Sequence, residues 1–303
     1  MRAFFCDTYE VPLPPGHRFP LPKYRLLRER LLADGVVCAH ELEESGVIDR
    51  PSLLLAHTPE YLDAVFSGTL SEAEQRRLGF RWSEALVARS RASVFGTVAA
   101  GFAALRDGIS GNLAGGTHHA HADHGAGFCV FNDLAVAVRA LQREGLVERA
   151  LVVDLDVHQG DGTAAIFAGD ESVFTFSMHG AKNFPFQKQR SSLDVELPDG
   201  CDDSRYLEEL ERNLPRVVGA ARPDVLFFQA GVDPLEDDLL GRLGLTREGL
   251  ARRDRIVATA ARERGIPLVL TLGGGYAKPI ALSVEAHLGT WREVRAVFSG
   301  FSP

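Results

Sequence analysis

The chain has 303 residues, 45% of them hydrophobic and 24% charged, with 30 Gly and 15 Pro. That composition excludes disorder, because the apolar fraction is large enough to bury a core. Lys+Arg number 33 against 41 Asp+Glu, a formal net charge of -8, which excludes a nucleic-acid binder that uses its whole surface.

Residues 1–7 form too short an apolar run for a signal peptide. No stretch of about 18 apolar residues occurs, so no membrane span is expected. Cys6, Cys38, Cys129 and Cys201 form no CxxC pair, and a reduced, cytoplasmic protein is the simplest expectation. In chain order, residues 2–6 read as a strand. Residues 22–33 read as a helix, with Leu26, Leu27, Leu31 and Leu32 at helical spacing. Residues 58–66 open with an N-cap Thr and a Pro at the first helical position. Residues 83–105 form a long Ala- and Val-rich helix. Residues 150–155, 173–178, 224–229 and 267–272 read as buried strands. Helical patterns at 135–142, 204–218, 247–264 and 280–291 fall between or after them. This alternation predicts an α/β fold with a parallel sheet covered on both faces. The Gly-rich stretches 111–116 and 273–275 read as loops. No linker or repeat interrupts the chain, so a single domain over 1–303 is expected.

In such sheets ligands bind at the carboxyl ends of the strands, and there the polar residues cluster. Asp154 lies inside an apolar strand, where a carboxylate is costly unless paired or bound to a cation. Asp156 and His158, two apart, share a face on an extended backbone. Asp233, directly after another strand, is the best third ligand. Three protein ligands leave a position open for water or substrate, the catalytic arrangement of zinc. A strand-end hydrogen-bonded pair is the bland alternative. His118 and His119 follow a Gly-rich turn and suit base and acid work on a metal-bound water. In isolation that loop reads as a solvated His-rich segment, to which His121 and His124 belong. Tyr276 follows three glycines at a strand end and could donate to an oxyanion.

These segments together resemble the histone deacetylase / acetoin-utilisation / acetylpolyamine amidohydrolase superfamily. The matching pieces are 57–62 (HTPEYL), 115–120 (GGTHHA), 125–133 (GAGFCVFND), 153–162 (VDLDVHQGDG), 177–179 (SMH), 229–233 (QAGVD) and 272–276 (LGGGY). The DLDxHQG form and residues 16–20 (GHRFP) look closest to the class IV branch and its bacterial relatives. The resemblance implies the arginase–deacetylase fold, a mostly parallel sheet of about eight strands with helices on both faces. It implies Asp156, His158 and Asp233 as ligands of Zn²⁺, with Fe²⁺ as the alternative. It makes His119 the general base, His118 its partner, and Tyr276 the oxyanion donor. Asp154 and Asp161 would orient His118 and His119. A structural K⁺ would sit at Asp154, Asp156, His158, Ser177 and Met178. Gly127, Phe128 and Phe184 would line the acyl-lysine tunnel. Gly160 and Gly231 replace the extra carboxylates of arginases, which argues for one metal.

Two departures stand out. Phe95 occupies a position that is often Gly in the family, so altered helix packing is expected. Tyr24 stands where class I members carry an Arg lining a product pocket. The leading expectation is a metal-dependent deacylase of acyl-lysine in proteins or peptides, acetyl or fatty acyl. A small-amine amidohydrolase is the alternative, ranked lower because the chain has little room for that subfamily's long insertion. A non-catalytic acyl-lysine-binding scaffold is the third, disfavoured because no ligand is lost.

Overall fold

The computed structural model describes residues 1–299. In chain order the elements are β1 (Arg2–Phe5), α1 (Pro22–Ala33), β2 (Leu42–Glu44), α2 (Arg50–Leu53), α3 (Pro59–Ser67), α4 (Glu72–Leu78), α5 (Glu84–Asp107) and β3 (Ile109–Asn112). There follow α6 (Asp133–Arg143), β4 (Ala150–Asp154), α7 (Asp161–Ile166), β5 (Val173–Gly180), β6 (Leu193–Leu197) and α8 (Asp203–Ala221). The chain continues through β7 (Val225–Gln229), α9 (Arg247–Glu263), β8 (Leu268–Thr271) and α10 (Ala281–Ser299). The eight strands form one sheet in the order β2-β1-β3-β8-β7-β4-β5-β6. Every pairing in it is parallel.

The apolar strands are explained by burial on both faces. Leu151 and Val153 of β4 enter one core, with Leu226 and Phe228 of β7 and Leu268 and Leu270 of β8. Their alternates Val152, Val225, Phe227 and Val269 enter the other. Side chains alternate along a strand, so a sheet covered twice needs apolar residues at every position. Helices α1, α8, α9 and α10 contribute to the first core, α3, α5 and α6 to the second.

Sequence patterning misses β2, β3 and β6. The second half of strand β3 (ISGN) overlaps the stretch 111–116 read as a Gly-rich loop; its Gly and Asn disfavour strand, yet it is fully buried between β1 and β8. Strands β2 and β6 are the sheet edges, and half-exposed edges carry no apolar run. Phe95 does not interrupt α5, which is continuous; its ring covers Gly46, where a Cβ would meet it at 3.2 Å.

The HTPEYL motif is an anchor. Thr58 caps α3, Tyr61 donates its hydroxyl to the Val130 carbonyl at 2.8 Å, and His57 Nε2 accepts from Asn132 N at 2.9 Å. Asn132 in turn caps α6 through Ala135 N and donates to the Ala120 carbonyl and Thr163 Oγ1. Asn132→Ala removes a helix cap and two buried hydrogen bonds, so a loss of about 2–4 kcal/mol is expected in urea unfolding. A loss below about 1 kcal/mol would contradict the anchor.

Candidate metal and acid–base site

Adjacent strands β3, β8, β7, β4 and β5 deliver the polar residues from their carboxyl ends. Asp154, the last residue of β4, lies opposite Gln229 of β7 and Ser177 of β5. Gln229 donates to the Gly116 carbonyl at 2.9 Å and accepts from Thr271 Oγ1 at 2.8 Å, tying the loop after β3 to the sheet. Asp133 fixes that loop by accepting from Gly116 N, Thr117 N and the hydroxyls of Thr117 and Thr97.

Asp156 and His158 lie beyond the end of β4, in a bend rather than on extended backbone. Their convergence comes from a turn. Asp156 Oδ1 accepts from His158 N at 3.0 Å and lies 3.0 Å from His158 Nδ1. Asp233 Oδ2 approaches the same Nδ1 at 3.1 Å, while its Oδ1 accepts from Val157 N. Asp156 Oδ2 accepts from Gly274 N at 2.7 Å. The three ligand atoms lie within 4.8 Å of one another, all three residues are buried, and this is the one such cluster found among the described residues. One imidazole nitrogen and two carboxylates suit zinc or iron(II). Burial and then the Asp156 charge push Asp233 up to about 7. Burial would lower His158, but the two carboxylates overcome it and raise it to about 10. Both carboxylates thus converge on the same ring nitrogen of His158, as ligands around one cation would. Gly231 enforces this geometry: a Cβ there would meet Asp156 Oδ2 at 2.1 Å. The extra carboxylate of a second metal has no room on that backbone.

Two imidazoles stand beside the cluster, each held by a carboxylate. His118 Nδ1 lies 2.7 Å from Asp154 Oδ2, and its Nε2 is 3.9 Å from Asp156 Oδ1. His119 Nδ1 lies 2.6 Å from Asp161 Oδ1. The two rings are 4.1 Å apart. Their environments separate them. Burial lowers His118, but Asp154 and Asp156 outweigh it and raise it to about 9. Burial, then the neighbouring His118, lowers His119 to about 4. One imidazole is therefore charged and the other neutral near neutrality, a division suited to acid and base. His121 does not belong to a solvated loop as expected. It reaches Asp161 Oδ2 at 3.2 Å and stacks on His124, which pairs with exposed Asp123.

Gly127 has φ +53, and a Cβ there would meet His119 Cδ2 at 2.6 Å. Phe128 follows at φ 67, its N–H bound to the Leu78 carbonyl. Phe184 stands edge-on to His119, with centroids 4.9 Å apart. These three, His119, His158 and Tyr276 all line one outer funnel of ≈ 840 Å³. Behind it lies an inner cavity with ≈ 80 Å³ of free space, walled by groups such as Leu13, Phe19, Leu21, Phe80 and Phe131. Tyr276 borders both. Burial and then the Asp233 charge hold its phenol well above the usual value, so the hydroxyl stays a donor. Cys129 is buried with its thiol well above the ordinary range, chiefly through burial, and is no nucleophile.

Sequence reasoning missed three buried cations. Lys23 is 1% exposed and donates Nζ to the Gly273 and Gly275 carbonyls, holding the loop that presents Tyr276. Burial lowers it to about 8 against the raising charges of Asp233, Asp156 and Asp238. Arg253 is fully buried beside Asp254 and donates Nη1 to the carbonyls of Leu155 and Gly231. Those carbonyls precede Asp156 and Asp233. Arg89 lines the inner cavity, donates Nη1 to the Cys6 and Tyr9 carbonyls, and stacks on Tyr24. Tyr24 brings no guanidinium to the cavity, as its sequence implies, but Arg89 reaches the same cavity from α5. Arg253→Met/Asp254→Leu removes both buried charges without leaving one unpaired. It should weaken Zn²⁺ binding by about 10- to 100-fold in chelator competition. Unchanged affinity would show that Arg253 does not position the ligands.

The whole chain is similar to known proteins. A model of the histone deacetylase domain matches residues 17–290. An uncharacterised protein of Picosynechococcus is 48% identical over 97% of this chain and 98% of its own. Histone deacetylase 2 of Arabidopsis thaliana is 30% identical over 93% of this chain and 77% of its own. The acetoin utilisation protein AcuC of Staphylococcus aureus (strain MSSA476) is 28% identical over 86% of this chain and 72% of its own. The crystal structure of an HDAC homologue from Aquifex aeolicus superposes with a TM-score of 0.84 at 26% identity, covering 99% of this chain and 84% of the other. Domain match, relatives and the all-parallel eight-stranded sheet agree: the chain belongs to the histone deacetylase family and has its arginase–deacetylase fold.

Proposed function

We propose that the protein is a zinc-dependent deacylase of N-ε-acyl-lysine in proteins or peptides. The carrying observation is that two His–Asp pairs adjoin the three-ligand cluster, with His119, His158 and Tyr276 lining the outer funnel and His118 and Asp156 the cavity behind it. Asp156, His158 and Asp233 would hold the divalent metal, zinc or iron(II), whose chemistry is to polarise the acyl carbonyl and lower the pKa of water. His119, neutral and held at Nδ1 by Asp161, takes the proton of the attacking water at Nε2. His118, charged and held by Asp154, gives a proton to the departing amine. The Tyr276 hydroxyl donates to the oxyanion that develops on the acyl oxygen. Phe128 and Phe184 flank the alkyl chain, with Gly127 leaving space beside His119.

The apolar inner cavity suits the acyl group, acetyl or longer. Arg89 at its wall supports passage of a carboxylate product on that side. A structural monovalent cation, K⁺ in this reading, would be held by Asp154 with Asp156, His158, Ser177 and Met178. The pairing of Asp154 with Ser177 across β4 and β5 favours it. The free cysteines fit a reducing compartment such as the cytoplasm. No helix among the described residues is long and apolar enough to cross a membrane.

His119→Ala and Tyr276→Phe should each lower kcat on an acetyl-lysine peptide by about 10²–10³, with the melting temperature retained. Turnover kept by both variants would overturn the assignment. Acetyl- and myristoyl-lysine versions of one peptide, with and without a hydroxamate chelator, decide the acyl length.

A further inference from the structure

We propose that the mouth of the funnel selects acyl-lysine within acidic peptide segments, an inference that rests on the deacylase reading above. Five cations line that mouth: Arg18, Arg76, Arg77, Lys182 and Arg242. All five are exposed, and among the described residues no Asp or Glu lines the same funnel. In a chain of net charge -8, this is not a by-product of composition.

The cations come from four separate places. Arg18 precedes α1, Arg76 and Arg77 end α4, Lys182 follows β5, and Arg242 lies between β7 and α9. No single basic run creates the patch; the fold assembles it around the opening that leads to His119 and Tyr276.

Neighbouring carboxylates do not cancel it. Arg76 pairs with Glu72 at 3.3 Å, and Lys182 and Arg242 share Asp199 at 3.6 and 3.5 Å. Among the described residues Arg18 and Arg77 have no carboxylate within 4.0 Å; Arg77 Nε donates to the Gly125 carbonyl instead. Five cations thus meet two carboxylates, and the contacts are solvent-exposed and weak. Two exposed apolar side chains stand among them, Phe186 at 84% and Leu239 at 57%. An extended peptide whose acyl-lysine enters the funnel lays its flanking residues on this rim. Acidic flanks with an apolar neighbour complement it in charge and in contact. An acylated polyamine, itself a cation, meets like charge. Complementary rims act mainly on encounter and are screened by salt.

The test uses the zinc-loaded full-length protein and three acetyl-lysine peptides, identical but for Glu, Gln or Lys flanks on both sides. At low salt the Glu peptide should exceed the Lys peptide about tenfold in kcat/KM, carried by KM. In roughly 0.5 M NaCl the ratio should collapse. Arg18→Glu/Arg77→Glu should abolish or invert the Glu-to-Lys ratio, which is read within the one variant and does not depend on its absolute rate. Equal rates for Glu and Lys peptides at low salt, or faster turnover of an acetylated diamine, would overturn the proposal and leave the hydrolase standing. Absence of turnover of every peptide would instead overturn the deacylase reading. Fluorescence anisotropy of the labelled peptides then judges the rim alone. Tighter binding of the Glu peptide, lost in the double variant, supports it; equal binding overturns it.

Discussion

The structure depends on one costly arrangement, the convergence of four buried carboxylates at the carboxyl edge of a parallel sheet. Asp154, Asp156, Asp161 and Asp233 all lie within the protein. Such charges cannot be taken from water unless cations or hydrogen bonds replace it. The surroundings supply both. His118 and His119 pair with Asp154 and Asp161, and His158 bridges Asp156 and Asp233. Lys23 and Arg253 contribute positive charge from behind, fixing backbone carbonyls of the loops that carry Tyr276 and the ligands. In the proposed reading a divalent cation at the three-ligand cluster would complete the balance, and the residues that store the charge would then be the ones that hold the metal.

Strand order explains how distant segments meet. His118 and His119 follow β3, Tyr276 follows β8, Asp233 follows β7, and Asp156, His158 and Asp161 follow β4. These four strands are consecutive in the sheet. All run parallel, so their carboxyl ends open on one side. Residues over 150 positions apart in sequence become neighbours without any long excursion. The glycines beside the site serve close approach: at Gly231 and Gly127 a side chain would strike Asp156 and His119.

Much of this is legible in the sequence because motif order carries it. The alternation of apolar strands and amphipathic helices gives the sheet, and the strand-end polar residues give the cluster. What patterning misses has physical reasons. Edge strands β2 and β6 are half solvated, so no apolar run marks them. The bend at 156–158 cannot be told from a strand by a two-residue spacing, although both bring the ligands together. Lys23 and Arg253 are single cations in ordinary helices. A signal did exist for Arg253: Leu250, Val257, Ala258 and Ala261 mark the buried face of α9, and Arg253 and Asp254 fall on it. The polar sequence around His121 reads as a solvated loop, but the fold turns His121 onto Asp161. The funnel's basic rim has no sequence signature, because four separate segments build it.

In the proposed mechanism Asp156, His158 and Asp233 bind one divalent metal on which amide hydrolysis depends. The most direct measurement is a zinc titration of metal-free protein, following heat and acetyl-lysine turnover together. The expected result is a single site, with turnover rising from zero and saturating at one equivalent, and neither signal in Asp156→Asn/Asp233→Asn. Turnover that survives complete metal removal, or that needs a second equivalent, would contradict it.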